Sequence, residues 1–555
     1  MKAIFKYICT LCVAANVVSC ETLEDFLTVA NSNELAADTF WTSDSDALMG
    51  LASVYSMLQY NSVMGANEAV VASCRTDMSA ASMWENTPLS LQNFTYNDSN
   101  DYLTNKWNNL YTGVYRANQV LFYVPDIDMD EAEKEIILAE AHFLRGLFYF
   151  WLMNTFNEGS VIVATTPPQS LEEYNRPLSP KEDVYALIEA DLTYAATSAH
   201  LPEAWDTSNL GRATLGAAKG ILGQFYLYEY EYEKAKEQFE WFIERSDLYS
   251  LVEEIGWNFD IEHEWNSESI FEVNFSDVVK EGMSAYNHDS ATAAEATTRG
   301  MVGGGGEAGG YSVYMPTCWS RSIFMADEVD LNNPINEEGR VWSKRCEASI
   351  YFMDCGYPFY DGAVEVTDWN FGYQPVGAYV KKFQNWDTGE KEDSVYTRSG
   401  INERVLRLAD VFLMYAECAV QIDGDSGAET ARTYINKVRE RSGVVLKTAS
   451  QLSTKEQVMD HLMYVERPLE LAWEGHSIRW NDLRRWHIIK EWYAERAAYT
   501  WTTDDFENMN TDYTTYNEME LSAANFTEEN YYLMIPSSET TTNPYVNTSS
   551  TTDEE

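Results

Sequence analysis

Residues 211–235 read GRATLGAAKGILGQFYLYEYEYEKA, and their spacing decides the fold. Leu222-Gly223 is followed by Tyr226, and Ala235 by Phe239. Apolar residues returning every three or four positions mark helix faces. Gly223 has no Cβ, so two helices can approach closely there, while Tyr226 and Phe239 fill the gap between them.

These positions fit the central part of the 34-residue tetratricopeptide pattern. Its Trp and Pro are missing, with Lys219 and Asp247 in their places. Outward from this hairpin, residues 404–442 predict a second pair, with Leu408, Val411, Tyr415 and Ala419 facing Ala431, Ile435 and Val438. Residues 107–124 and 131–156 predict a third, the latter with Ile137, Ala141, Leu144, Phe148, Leu152 and Phe156 on one face. Ser179-Pro180-Lys181-Glu182 reads as a capping box that opens a helix to about 199. Ser43, with Asp44 and Asp46, starts another that carries Leu48, Leu51, Val54 and Leu58. The expected class is mainly α: a tetratricopeptide-like helical-repeat scaffold with long irregular insertions and a few short strands.

Repeat pairs are expected over about 43–250 and 404–490, around an insertion at about 250–400. The insertion holds strand-like runs, IFEVNF (270–275) and AYVKKF (378–383), and a glycine run from Gly303 to Gly306. Its aromatics include Tyr286, Tyr311, Tyr314, Trp319, Trp342, Trp369, Phe371 and Tyr373. An irregular segment this long is usually functional or disordered, and the aromatics argue for function. Residues 500–555 are rich in Thr and Asn and end acidic.

The 555 residues carry a net charge of −50, and 45% are hydrophobic. The chain is apolar enough for a large core. Its field repels phosphate backbones, which excludes nucleic acid as a partner and leaves neutral ligands favoured. The 17 Trp and 36 Tyr form a surplus of flat rings.

Lys2 and Lys6 precede an uncharged stretch at 7–18, too short to span a bilayer and the length of a signal core. It ends Val17-Val18-Ser19-Cys20. Residues 1–19 are therefore read as a lipoprotein signal peptide, with Cys20 as the lipidated first residue of a single mature domain, 20–555. Its acyl chains would anchor the protein, each buried CH₂ contributing roughly 0.8 kcal/mol. No later run reaches 18 uncharged apolar residues, since 136–156 is interrupted by Glu140, His142 and Arg145. Of the remaining cysteines, Cys74, Cys318, Cys346, Cys355 and Cys418 have no zinc spacing. Their odd number leaves at least one thiol unpaired if all disulfides are internal, and a Cys346–Cys355 pairing stays open.

Enzyme signatures are lacking. There is no Walker A loop, His-Glu-x-x-His or nucleophile elbow. Acidic residues are so numerous that a pair at glycosidase spacing carries no information. Asp126, Asp128 and Asp130 alternate as in a calcium loop, but Glu131 replaces the turn glycine. They read better as anionic caps of the following helix. No metal or cofactor is expected. A sugar ring has an apolar C–H face and a polar rim, which exposed rings beside a few polar side chains would match.

Several segments resemble those of the SusD/RagB family of nutrient-uptake outer-membrane lipoproteins. They are NKWNNLYTGVYRANQVL (105–121), AEAHFLRGLFYFWLMNTF (139–156), GRATLGAAKGILGQFYLYEYEYEKA (211–235), LRLADVFLMYAECAV (406–420) with INKVRERSGV (435–444), ERPLELAWEGHSIRWNDLRRW (466–486) and IPSSETTTNP (535–544). They follow the family's order and cover nearly the whole mature chain. The resemblance implies a non-enzymatic, surface-exposed glycan-binding lipoprotein that delivers oligosaccharide to a SusC-like TonB-dependent transporter. Peptide capture or purely protein binding is the alternative, and a glycoside hydrolase a remote one. Glu21, Glu24 and Asp25 partly match the family's acidic export signal, implying a surface-facing outer-membrane location. Arg145 is expected to bridge helices, and Glu466, Arg467, Glu470, Glu474, Arg479, Asp482, Arg484 and Arg485 to form a charge network tying the last repeat pair together.

The family's ligand site lies in irregular segments. Here these are ASCRTDMSAASMWENTP (72–88), offering Arg75 and Asp77 for hydrogen bonds and Trp84 for stacking, and 284–320, offering Tyr286, Tyr311, Tyr314 and Trp319. The four glycines would let the second segment close over ligand.

Overall fold

The computed structural model describes residues 40–82, 86–279, 295–305, 310–353, 355–362, 377–386, 398–502, 505 and 515–546. The signal segment, Cys20, Trp84 and Tyr286 lie outside these residues.

The helices that build the frame are α1 (Asp44–Tyr55), α2 (Ala66–Cys74), α3 (Asp101–Tyr123), α4 (Glu131–Thr155), α5 (Lys181–Ala196), α6 (Leu215–Tyr228) and α7 (Tyr232–Ile243). After the insertion, which contains α8 (Cys318–Met325), come α9 (Leu408–Asp423), α10 (Ala428–Arg441), α11 (Ile478–Arg485) and α12 (Ile489–Ala497). Each helix from α3 to α7 packs on the next. Helix α7 packs on α9 and α9 on α10, so the stack resumes across more than 150 residues of intervening chain. The main apolar core runs from Ala47 to Leu533, with a small second cluster of Ile255, Phe259, Phe383 and Ile401.

Local signals place most helix starts where the sequence put them. Ser43 Oγ accepts from the Asp46 amide at 3.3 Å and donates to Asp46 Oδ2 at 2.7 Å. Asp130, in the alternating acidic run, caps α4 by accepting from the amides of Ala132 and Glu133 at 3.0 and 3.1 Å. The Ser179 capping box does not form: the Ser179 amide donates to Val161 O at 2.9 Å, and the helix begins after Pro180 with no side-chain cap. Helix α4 is long and apolar enough to cross a bilayer, but 83% of its apolar window is buried in the stack.

Gly223 performs as its spacing predicts. A Cβ there would stand 2.5 Å from Phe239 Cε1 and 3.1 Å from Gln238 Cβ. Gly223→Ala is therefore expected to destabilise by about 1–3 kcal/mol through overpacking, read as a lower urea midpoint at unchanged slope. An unchanged midpoint would mean that the α6–α7 contact relaxes without cost.

Short antiparallel strands fasten the insertion to the frame and, through the β4–β5 pair, to itself. They are β1 (Ser79–Ala81), β2 (Ser269–Val273), β3 (Tyr314–Pro316), β4 (Ile350–Phe352), β5 (Ala378–Val380) and β6 (Glu403–Arg407), paired β1 with β3, β2 with β6 and β4 with β5. The expected helix start at 404 is thus a strand, and α9 begins at Leu408. Ser269 lies opposite Arg407, and the Leu408 amide donates to Glu268 O at 2.8 Å.

The charge network is larger than the sequence suggested. Arg407 meets Glu268, Glu470 and Glu474, each at 2.6 Å. Arg441 shares Glu268 at 2.7 Å and also pairs with Glu470. Lys382 reaches Glu474 at 2.5 Å. Glu466 holds Arg345 at 2.5 Å, Arg439 at 2.9 Å and His461 at 2.8 Å. Arg467 bridges Asp410 and Asp482, and Arg485 joins Asp482 to Glu417. All are buried. Because Glu268, Arg345 and Lys382 come from the insertion, the network bolts that insertion to the last repeats. Arg145 bridges as expected, forking onto Asp191 of α5 at 2.8 Å and reaching Asn118 of α3 at 2.9 Å.

These charges set a pH profile. Burial pushes the Glu470 carboxyl up, but Arg441, Arg407 and Arg345 outweigh it and hold it at about 2. A carboxyl held below its usual 4.5 stabilises above that value and loses the contribution as pH falls toward 2. Burial raises Glu403 and Glu264 to about 7, so both bind protons more readily in the folded chain and favour folding as pH drops from 7 toward 4.5. The expected urea midpoint rises from pH 8 to about 5 and collapses below about 4. A steady decline from pH 8 to 5 would contradict this assignment.

All five cysteines among the described residues are free and buried, so Cys346 and Cys355 are unpaired thiols.

Candidate functional site

Strands β1 and β3 bring together the two segments that the sequence marked. Ser79 lies opposite Pro316, Ala80 opposite Met315 and Ala81 opposite Tyr314. The ladder is extended by Ser82 N–H to Val313 O at 2.8 Å and Thr317 N–H to Met78 O at 3.0 Å. Thr317 Oγ1 donates to Asp77 O at 2.7 Å and accepts from the Ser320 amide at 3.1 Å, so α8 starts directly off the strand. That fixes Trp319 in its first turn.

Glu518 seats the same turn. Its carboxylate accepts from the Cys318 amide at 2.6 Å and the Trp319 amide at 3.3 Å, an anion at a helix N-terminus. Arg496 of α12 pairs with Glu518 and lies 4.8 Å from the Trp319 ring centroid. Trp319 meets Trp492 edge-on at 5.4 Å, and Trp492 meets Tyr464 at 4.8 Å. All three rings are half-buried and together make an aromatic platform.

Asp77 works beneath it. It accepts from Arg479 at 2.9 and 2.6 Å and from Trp492 Nε1 at 2.8 Å. Burial raises its carboxyl, but Arg479 and Arg496 win and keep it ionised. Both acids under the platform are thus locked by guanidinium partners, which suits them to positioning rings.

The predicted contacts need correction. Asp77 is fully buried and supports the platform instead of reaching ligand. Arg75 is 1% exposed, with its guanidinium 4.2 Å from the Trp480 ring centroid, filling the core behind α2. Tyr314 is 1% exposed as a β3 residue, and burial pushes its hydroxyl up to about 12. Of the predicted residues that are described, Trp319 and Tyr311 reach the surface, Tyr311 at 47% exposure. Nor do Gly304 and Gly305 of the glycine run read as a lid, and Gly306 lies outside the described residues. A Cβ on Gly304 would meet Gly300 O at 2.6 Å, and one on Gly305 the Tyr379 ring at 2.7 Å, so these glycines exist for close packing. Tyr464, Trp492, Arg496 and Glu518 were missed. The i, i+4 spacing of Trp492 and Arg496 was the available signal.

Among the described residues no group of His, Cys, Asp or Glu could hold a metal ion.

Two family models match. One, described as the SusD family, covers residues 267–549. The other, described as starch-binding and associating with the outer membrane, covers 25–227. SusD-like protein P25 of Formosa agariphila is 26% identical, over 88% of this chain and 91% of its own. The crystal structure of a SusD superfamily protein from Bacteroides vulgatus is similar with a TM-score of 0.73, at 24% identity over 92% of this chain and 99% of that one. A laminarin-binding SusD-like protein is similar with a TM-score of 0.68, at 25% identity over 90% and 97%.

Proposed function

The chain belongs to the SusD family, and on that premise we propose that it is a non-catalytic receptor for neutral oligosaccharide. The reading goes further: Cys20 carries lipid that tethers it to the outer membrane, facing outward, and the captured sugar passes to a SusC-like TonB-dependent transporter. The observation that carries the binding role is the Trp319–Trp492–Tyr464 platform, three half-buried rings on a rigid support. Trp84 and Tyr286 are proposed to complete it. Flat rings cover the C–H face of a pyranose, and cations beneath Trp319 orient that ring without charging the surface. A −50 chain attracts no polyanion, which favours an uncharged glycan. The laminarin-binding relative suggests a β-glucan as the first probe.

Trp319→Ala in the full mature chain is expected to weaken binding of the recognised glycan about tenfold while leaving the thermal midpoint within a few degrees. The measurement is titration calorimetry with laminarin, preceded by a neutral-glycan array to select another ligand if laminarin is ignored. Unchanged affinity in Trp319→Ala would remove the platform. A silent array would remove glycan capture itself.

A further inference from the structure

A cleft of about 440 Å³ opens along α3. Asn108, Tyr111, Thr112 and Tyr115 recur at i, i+3, i+4 and i+7, so they share one face of that helix. The loop 160–176, which includes a 3-10 turn at Leu171–Tyr174, and the short C-terminal helix Ser537–Thr542 that carries Glu539 wall this face.

Side chains of α3 and α4 hold the loop in place. Tyr111 OH donates to Ile162 O at 3.0 Å and accepts from its amide at 2.7 Å. Tyr149 OH does the same for Ala164, at 2.9 and 2.8 Å. Asn118 adds a bond to Ala164 O at 2.8 Å. On the far wall, Asn543 donates to Glu539 Oε1 at 2.8 Å and to Arg176 O at 2.9 Å. The cleft is therefore preformed, with a size suited to a small ligand.

Its lining is incompletely used. Tyr174 is 62% exposed and Tyr115 39% exposed, yet they stand close enough that Tyr174, after burial itself, raises the Tyr115 hydroxyl's pKa. Among the described residues, the Tyr174 hydroxyl and the Asn108 side-chain amide make no hydrogen bond. Arg176 makes no ion pair there either, donating only to Glu173 O at 3.1 Å. Rings are interleaved with polar groups rather than merged into an apolar stripe, which a protein helix would need. Glu173 and Glu539 against Arg176 leave the cleft slightly negative, which disfavours an acidic ligand.

We propose that this cleft is a second binding site for a neutral pyranose sugar, stacked on Tyr174 and Tyr115 with its hydroxyls bonded to Asn108 and Arg176. It is built from residues separate from the Trp319 platform.

The test uses saturation-transfer NMR on the full mature chain carrying Trp319→Ala, with laminaribiose, cellobiose, maltose and mannobiose as probes. At least one disaccharide should still receive saturation. Adding Tyr174→Ala, or Tyr115→Ala, should weaken that signal's affinity at least about fivefold. Tyr194→Ala, a substitution of an exposed ring elsewhere, should leave it unchanged. No transfer to any of the four sugars, or transfer indifferent to both tyrosine variants, overturns the proposal. So does an intact signal that only an added partner protein displaces. Failure of laminarin to bind the wild-type platform would strike the earlier reading while leaving this readout interpretable.

Discussion

Arg407→Met is expected to lower stability by about 3–5 kcal/mol, enough to leave much of the chain unfolded at growth temperature. The guanidinium is buried among Glu268, Glu470 and Glu474, all within 2.6 Å of it. Methionine fills similar volume, so the loss is electrostatic: carboxylates stay buried with Arg441 and Lys382 as their remaining partners. The three acids also come from separate parts of the chain, one preceding β2 and two following α10. Losing their shared partner loosens insertion and repeats together. Urea denaturation followed by tryptophan fluorescence checks this, and adding Glu474→Gln should recover part of the loss by removing one stranded charge. A single variant within about 1 kcal/mol of wild type would show that Arg441 alone suffices.

Asp77→Ala is expected to act twice. Arg479 would be left buried without its forked partner, at a cost of about 3–5 kcal/mol. Trp492 would lose the acceptor of its Nε1 hydrogen bond, so its ring, and Trp319 against it, would be free to reorient. In the surviving folded fraction, affinity at the platform should drop about tenfold although Asp77 itself touches no ligand. Trp492→Phe separates the two effects. It removes the hydrogen bond and keeps a ring, so it should reduce affinity with little loss of stability. If Asp77→Ala binds as well as wild type once its folded fraction is allowed for, the platform does not depend on its support.

The frame was legible because helix periodicity is local. Leu222, Gly223, Tyr226 and Phe239 announce a tight hairpin within eighteen residues, and Gly223 is as closely packed as the spacing required. The acidic run before α4 likewise showed its purpose in Asp130. The site was legible only as a region. Arg75, Asp77 and Tyr314 are residue types that a sugar site uses, and nothing nearby in sequence says that they are buried. Their burial follows from partners far along the chain: Asp77 is 402 positions from Arg479. Strand pairing such as Ala81 with Tyr314 leaves no periodic trace at that distance. The same blindness made residues 404–407 look like the start of a helix, since ERVLR becomes a strand only when β2 lies beside it.

The chain leaves the stack after Ile243 and re-enters it at Leu408, with β2 and β6 zipped at the crossing. What lies between is a closed detour, and each doubling of a flexible detour adds only about 0.6 kcal/mol of closure entropy. Such a detour can lengthen, shorten or change composition while the bearings on either side stay in register. Preference for one cargo over another can therefore drift among descendants without the architecture having to be reinvented.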